Sequence, residues 1–215
     1  MSQRIGDALK QLAEAVPNSG LSADDIERLR LELNKLQGAV STEETSWKLI
    51  QEQTASSSAQ IDFTGLSDSF RYYVIVLRNI KPATDAAELW IRMSVDGGAT
   101  FITTNTYSYR TNYSVDDGVS TGNGASTGDS KIKVTLNTGN ASDESQAGEI
   151  HLLNLSSTVN RKLVRFFQAV INSSPSLINY EGSGSNSTIS IVNAVRLLFS
   201  AGNIASGTAA LYGVR

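Results

Sequence analysis

The segment RYYVIVLRNI, residues 71–80, decides the fold class of this sequence. It contains an unbroken run of apolar and aromatic residues from Tyr72 to Leu77. Because successive side chains of a β-strand point to opposite faces of the sheet, such a run needs cover on both faces. We therefore predict a central strand that is covered by a second sheet or by a neighbouring subunit. The shorter segment RLLF, residues 196–199, supports the same prediction.

Segments with the two-residue period of strands follow one another from Thr42 to the end of the chain. Clusters of Gly, Ser, Asn, Asp and Thr separate them, as is typical of turns. Because no helical segment intervenes, roughly nine or ten strands predict an antiparallel β-sandwich, with a jelly roll as the favoured topology. The strand segments are WKLIQEQ, SAQIDF, RYYVIVLRNI, AELWIRMSV, TYSYR, KIKVTLN, GEIHLLNL, KLVRFFQAVI, STISIVNAVRLLFSA and GTAALYGV.

Residues 1–41 have a helical period instead. Ser22 and Asp25 have the spacing of a capping box at the start of a helix. Apolar residues then recur at intervals of three and four, and the charges of ERLRLELNKLQ lie off that seam. The seam consists of Ile26, Leu29, Leu33, Leu36 and Val40.

Two interpretations of this seam remain. Short helices are marginally stable alone in water, so the seam needs a partner. The two helices predicted within residues 1–41, which the breaker cluster from Pro17 to Gly20 separates, either fold back on the β domain of their own chain or pack against copies of the chain or another protein. We favour the second interpretation, an oligomerisation or docking element. The sequence thus predicts a helical region over residues 1–41 and a β-sandwich domain over residues 42–215.

Composition restricts the classes of function. A net charge of −3 and a pI of about 5.2 give no broad positive field, so we expect no nucleic-acid partner. The absence of cysteine from the sequence excludes disulfides, thiolate zinc sites and cysteine nucleophiles. Neither a secretory signal nor a membrane-spanning segment is recognisable. We expect a soluble chain, made in the cytoplasm, with no membrane insertion.

His151 is the only histidine in the sequence. It shares a predicted strand face with Glu149 and Leu153, which favours a sheet histidine over a Ser-His-Asp site or a metal centre. No nucleophile elbow, phosphate loop or dinucleotide fingerprint occurs in the sequence. We predict no enzyme, no cofactor and no metal site. A glycosidase built on two carboxylates, with Asp96 near the site, remains a minor alternative.

The stretch SVDGGATF, residues 94–101, resembles the Asp box of sialidases and other β-propeller glycan enzymes. In those enzymes the motif recurs at blade spacing and lies away from the catalytic pocket. This chain has one copy, no internal repeat and too few residues for a propeller. Asp96, Gly97 and Gly98 are therefore predicted to form a structural β-turn.

Two further segments are candidates for binding. Residues 116–130, DDGVSTGNGASTGDS, have no periodicity and predict a solvated loop. Its acidic residues are candidates for calcium ligands, but their spacing does not match an EF-hand. The candidate glycan contacts are Tyr107, Tyr109 and Tyr113, interleaved with Arg110 and Asn112, and the alternative for them is the rim of a sandwich strand.

The β domain as a whole resembles small structural proteins of tailed bacteriophages, in which a short helical N-terminal region precedes a β-sandwich. The segments that carry the resemblance are WKLIQ from Trp47, SAQIDFTGL from Ser58, VIVLRNIKPATD ending at Asp85, SVDGGATF, and the closing SAGNIASGTAALYGVR.

The resemblance implies a location on the virion and no catalytic residues. We expect a capsid cement or decoration protein or a tail-fibre component whose partners are other virion proteins and copies of itself. A homotrimer is favoured because three-fold capsid positions and fibres both require it. The alternative is a receptor-binding fibre module that recognises a host surface glycan. An apolar helix seam buried between subunits would favour assembly, and an open groove on the sandwich would favour glycan binding.

Overall fold

The structure is a computed structural model that describes residues 22, 24, 27–29, 31, 32, 34, 35 and 47–215. The chain divides into two compact units, Met1–Ser46 and Trp47–Arg215, where the sequence placed the boundary after residue 41. Described residues between 24 and 35 are helical, and none of the described helical residues belongs to a segment long and apolar enough to cross a membrane.

One residue of the predicted helix seam can be placed. Leu29 is helical and 40% exposed. Leu31, which lies off the seam, is 54% exposed. The other seam residues, Ile26, Leu33, Leu36 and Val40, lie outside the described residues.

Trp47–Arg215 forms twelve strands and no helix. They are β1 (Trp47–Ser58), β2 (Ile61–Thr64), β3 (Tyr72–Pro82), β4 (Leu89–Ser94), β5 (Tyr107–Val115), β6 (Thr121–Asp129), β7 (Ile132–Lys133), β8 (Gln146–Leu153), β9 (Lys162–Ile171), β10 (Leu177–Asn186), β11 (Ala194–Phe199) and β12 (Ile204–Val214).

The strands form two antiparallel sheets that pack face to face. One sheet has eight strands in the order β1-β12-β3-β8-β9-β10-β5-β6, and the other has four in the order β2-β11-β4-β7. The predicted antiparallel β-sandwich is confirmed. It contains more strands than the sequence indicated, and its strand order could not be predicted from the sequence.

The core lies between the two sheets. Ile75 and Phe166 point inward from the eight-stranded sheet, and Phe63, Ile91 and Leu197 meet them from the four-stranded sheet, all at 2% exposure or less. Complete burial of one such side chain stabilises the fold by about 1.5–3 kcal/mol. These contacts fix which face of each strand points outward.

The segment 71–80 is a central strand, as predicted. β3 lies between β12 and β8, with Ile75 opposite Leu211 on one side and Ile150 on the other. Its outward-facing Val74 is also fully buried, at 0% exposure. The inward face of β3 is therefore covered by the second sheet, and on the outward face Val74 is covered while Tyr72 and Val76 are partly exposed.

The predicted loop at residues 116–130 is wrong. Only a short turn there is irregular, and β6 pairs with β5 along Ser114–Tyr107. Gly122 lies beneath the ring of Tyr113, because a Cβ atom at that position would come within 2.5 Å of the Tyr113 Oη. The glycines that resemble loop residues in the sequence make room for large side chains of a neighbouring strand.

β10 was also absent from the predicted strands, for the same reason. A Cβ atom on Gly182 would lie 2.5 Å from Cζ of Phe166 on β9. The opposite error occurs in KIKVTLN, where only Ile132 and Lys133 are in a strand. Beyond them the hydroxyl oxygen of Thr135 accepts a hydrogen bond from the backbone of Leu89 at 3.1 Å, so a side chain interrupts the ladder.

Candidate functional site

The Asp96 carboxylate organises the turn between the two sheets. It accepts hydrogen bonds from the Thr100 hydroxyl at 2.5 Å, the Thr100 amide at 2.9 Å and the Ser94 hydroxyl at 2.7 Å. Hydrogen bonds from Thr100 and then Ser94 lower the pKa of Asp96 to about 2. Gly97 and Gly98 have φ of 78° and 93°, a region that favours glycine. The carboxylate oxygens are engaged within the turn, which is a structural arrangement.

The three candidate glycan tyrosines lie on the inner face of β5, which corrects their proposed role. Tyr107 is completely buried, and its hydroxyl accepts a hydrogen bond from the Met93 amide at 2.8 Å. Tyr109 is 8% exposed. The ring of Tyr113 packs 5.8 Å from that of Tyr180 in a small second core. Because Arg110 and Asn112 occupy alternate positions, they point to the opposite face, so tyrosines and polar residues do not share one surface.

His151 lies on the outer face of β8 beside the residue predicted to share its face. Its Nε2 is 3.0 Å from Oε2 of Glu149, and its ring stacks with that of Tyr72 at a centroid distance of 6.2 Å. Asp117 accepts hydrogen bonds from the amides of its own turn, and Asp129 pairs with Lys131 at 2.6 Å. No group of three or more potential metal ligands occurs within the described ranges.

The outer face of the eight-stranded sheet brings together residues that are far apart in the sequence. Ser183 on β10 lies directly opposite Arg110 on β5 and, on its other side, opposite Arg165 on β9. Neighbouring strands are about 4.8 Å apart, so the Cα atoms of the two arginines are about 10 Å apart across the serine. His151 continues the same row beyond Arg165.

A cleft of about 830 Å³ is lined by both arginines and extends past Arg110 to Ala125, Ser126 and Thr127 of β6. Serines of β5 and β10 line its floor, and the partly exposed side chains of Leu153 and Leu163 form one wall. Two smaller depressions, of about 210 and 330 Å³, share Arg165 and Phe167. The main cleft falls within the size range of small-ligand sites, about 300–1,000 Å³.

The guanidinium groups of both arginines that line the cleft are exposed at the surface. Arg110 donates from Nε to Oδ1 of Asn112 at 3.2 Å, and Arg165 lies 4.9 Å from the ring centre of Phe167. In Trp47–Arg215, neither arginine is part of an ion pair. The nearest acidic residue of β10 on this face is Glu181, which lies opposite Phe167 and Asn112 in the adjacent row.

A second feature of the outer face lies at its β1 edge, and we name it the β1 patch: Trp47, Leu49, Ile50 and Tyr212. Leu49 is 51% exposed and Ile50 is 42% exposed. The rings of Trp47 and Tyr212 are 5.8 Å apart. Among the described strands, β12 is the only one that pairs with β1 in a sheet. The β1 patch is therefore an apolar surface at a terminal strand of the sheet.

Comparison with known proteins identifies no relative. The chain matches no protein-family model, no curated protein and no solved structure.

Sequence reasoning missed the cleft because it missed the strand at its floor. The segment EGSGS, residues 181–185, has the composition of a loop, yet it is the middle of β10. One signal was available, because the alternation of TYSYRTNYS places Arg110 and Asn112 on the face opposite to the tyrosines. The polar face could thus have been separated from the buried one.

Proposed function

We propose that this protein is a non-enzymatic structural component of a tailed-phage particle that works as a homo-oligomer. It serves as a capsid cement or decoration protein or as part of a fibre, with copies of itself and other virion proteins as partners. The resemblance of the β domain to phage structural proteins supports the virion location. The Asp96 carboxylate is bound within its own turn, which supports a structural and not a catalytic role for the SVDGGATF motif.

The exposed apolar side chains of the N-terminal part of the chain carry the proposal. Leu29 in the helix seam is 40% exposed, and Leu49 and Ile50 at the start of the sandwich are 51% and 42% exposed in a single chain. Burial of such side chains on association contributes about 25 cal/mol per Å² of apolar surface before the costs of association. Leu29 in one unit, and Leu49 and Ile50 in the other, each provide apolar surface that a second copy of the chain covers.

The β1 edge favours association through side chains over strand addition. The register of β1 shifts between Leu49 and Gln51, so Ile50 forms a bulge beside the charged Lys48. Bulges and lysines on edge strands oppose pairing with a strand of another chain. The helix seam, with its three-and-four spacing, then sets the number of copies, and we propose three.

Light scattering of the full chain tests self-assembly. Leu29→Glu places a charge in the seam, and Leu31→Glu places the same charge in the same helix off the seam. We expect Leu29→Glu to lower the solution mass to that of one chain and Leu31→Glu to leave the mass unchanged. Equal masses for both variants and the unmodified chain would contradict a seam-driven oligomer.

The virion location has its own test. Antibodies against the recombinant protein should label purified phage particles in electron micrographs, and the position of the label distinguishes head from tail. Antibodies that recover the protein only from the unassembled fraction of the lysate would contradict the virion location.

A second candidate function is the recognition of a glycan by a fibre module. The open cleft lined by Arg110 and Arg165 favours it, because the cleft offers hydroxyl and guanidinium groups next to an apolar wall. This candidate is compatible with assembly, since the cleft and the helix seam use different residues.

A further inference from the structure

The floor of the cleft is low because β10 and Ser108 of β5 carry small side chains there, whereas Arg110 and two residues of β9 carry long ones. Ser183 and Ser185 point outward from β10, and Arg110 on β5 and Arg165 and Leu163 on β9 rise on either side. Residue size along three adjacent strands therefore creates the depression, which is a property of the sheet itself. A site on paired strands is held more rigidly than one on loops.

The charge of the cleft is positive. Two guanidinium groups face it from opposite sides, and Arg165 lies over the ring of Phe167 at 4.9 Å, which restricts its orientation. Near the cleft on this face, Glu149 lies 3.0 Å from the His151 ring, and Glu181 stands in the adjacent row. Guanidinium groups without carboxylate partners bind carboxylates and phosphates through parallel hydrogen bonds.

The backbone of the floor narrows the class of ligand. β9, β10 and β5 have hydrogen-bonded strands on both sides, so an extended peptide gains no main-chain hydrogen bonds here. The net charge of −3 provides no broad positive surface that would follow a nucleic-acid backbone. Recognition must therefore come from side chains, on a ligand small enough for a cleft of about 830 Å³.

The remaining lining fits a sugar ring. Ser108, Ser183 and Ser185 offer hydroxyls that both donate and accept hydrogen bonds, and Leu153 and Leu163 offer an apolar surface for the C–H face of a pyranose. We propose that the cleft binds a carboxylate-bearing saccharide, whose carboxylate is held by Arg165 and Arg110. This inference rests on the glycan-binding candidate function and is independent of the assembly proposal.

Isothermal titration calorimetry with matched pairs of sugars tests the proposal. The acidic probes are sialyllactose and trigalacturonic acid, and their neutral counterparts are lactose and galactotriose. Sodium sulfate tests for a general anion site. We expect at least one acidic probe to bind the full chain with a Kd of about 1 mM or tighter, and its neutral counterpart to bind at least about tenfold more weakly.

Single substitutions assign the binding to the cleft. We expect Arg165→Gln and Arg110→Gln each to weaken binding of the acidic probe by at least about tenfold. Arg71→Gln removes the same charge from an exposed arginine that does not line the cleft, and it should have no effect. Glu181→Gln removes the negative charge next to both arginines and should strengthen binding about two- to fivefold. A circular-dichroism spectrum identical to that of the unmodified chain confirms that each variant is folded.

The outcomes separate the proposals. If neutral and acidic sugars bind equally, glycan binding stands and the carboxylate inference is overturned. If sulfate at equal concentration displaces the acidic sugar from the cleft, the cleft is a general anion site and the saccharide inference is overturned. If neither acidic probe binds, or if both arginine substitutions leave binding unchanged, the inference fails. The solution mass, measured on the same samples, reports on assembly independently of these results.

Discussion

Arg196 on β11 lies directly opposite Asp62 on β2 and donates two parallel hydrogen bonds to its carboxylate, each 2.7 Å long. The guanidinium carbon also lies 4.0 Å from the ring centre of Phe101, which follows the Asp96 turn. The pair therefore ties the edge strand of the smaller sheet to both its neighbour and the turn between the sheets. The hydrogen bond to Asp62 raises the pKa of Arg196.

A double-mutant cycle measures this pair. Because both side chains are about one quarter exposed, at 25% and 27%, solvent screens part of the attraction. We expect Arg196→Ala and Asp62→Ala to have a coupling free energy of about 1 kcal/mol in urea unfolding. Arg196→Lys keeps the charge and loses the forked geometry, so it should recover less than half of the loss. Additive single effects would show that the pair contributes nothing.

The Asp96 turn should make stability depend on pH in the acid range. The folded pKa of Asp96 is about 2, below its ordinary value of 3.8. Its contribution is complete above pH 3.8 and is lost as the pH falls through about 2. We expect the urea midpoint of Asp96→Asn to lie below that of the unmodified chain at pH 6 and the two to converge between pH 4 and pH 2, with Thr100→Val giving a smaller loss. A constant difference across this range would contradict the assignment.

The buried tyrosines should weaken the fold at high pH. Burial raises the pKa values of Tyr107, Tyr109 and Tyr180 to about 12, from an ordinary value of 10.0. The unfolded chain releases its phenol protons first. The contribution of these tyrosines to the free energy of unfolding is therefore complete below pH 10 and decreases as the pH rises towards 12. Absorbance at about 295 nm should show part of the tyrosine titrating late, together with a falling urea midpoint. A single transition near pH 10 with unchanged stability would contradict this expectation.

Removal of the buried Tyr107 hydroxyl should destabilise the fold. Tyr107→Phe leaves the buried Met93 amide without its 2.8 Å acceptor, and we expect the free energy of unfolding to fall by about 1–3 kcal/mol. Tyr113→Phe keeps the ring that packs on Tyr180, and a change below about 0.5 kcal/mol is expected. Equal losses in urea unfolding would show that the Tyr107 hydrogen bond is not the cause.

Gly182 should not tolerate a side chain. A Cβ atom there would lie 2.3 Å from the Arg110 carbonyl oxygen and 2.5 Å from Cζ of Phe166. We expect Gly182→Ala to lower the free energy of unfolding by about 1–3 kcal/mol. Gly128→Ala is the control, because its nearest heavy atom is the Asn105 carbonyl oxygen at 3.8 Å. Comparable urea midpoints for the two variants would contradict the packing assigned to β10.

The strands that the sequence predicted are those whose signal is local. The apolar run from Tyr72 to Leu77 specifies a central strand wherever it pairs, and the Asp-Gly-Gly turn depends only on its own residues. β6 and β10 lack such a signal. Their glycines are required by side chains that approach from elsewhere in the chain, such as Phe166 above Gly182, and no local pattern contains that information.

The candidate site could not be predicted from the sequence for a related reason. Arg110 and Arg165 meet only because β10 lies between β5 and β9, and the strand order is a property of the whole fold. Aromatic residues among polar ones predicted a mixed surface for glycan contact. The alternation of a strand instead places the two sets on opposite faces. Tyr107 became core and Arg110 became surface.

The most direct test of self-assembly is the solution mass of the unmodified full-length chain, measured by light scattering over a range of concentrations. We expect a stable species with three times the 23.0 kDa of one chain, because we propose that other copies cover the helix seam and the β1 patch. A mass of 23.0 kDa at every concentration would contradict self-assembly, and the exposed Leu29, Leu49 and Ile50 would then require a different partner.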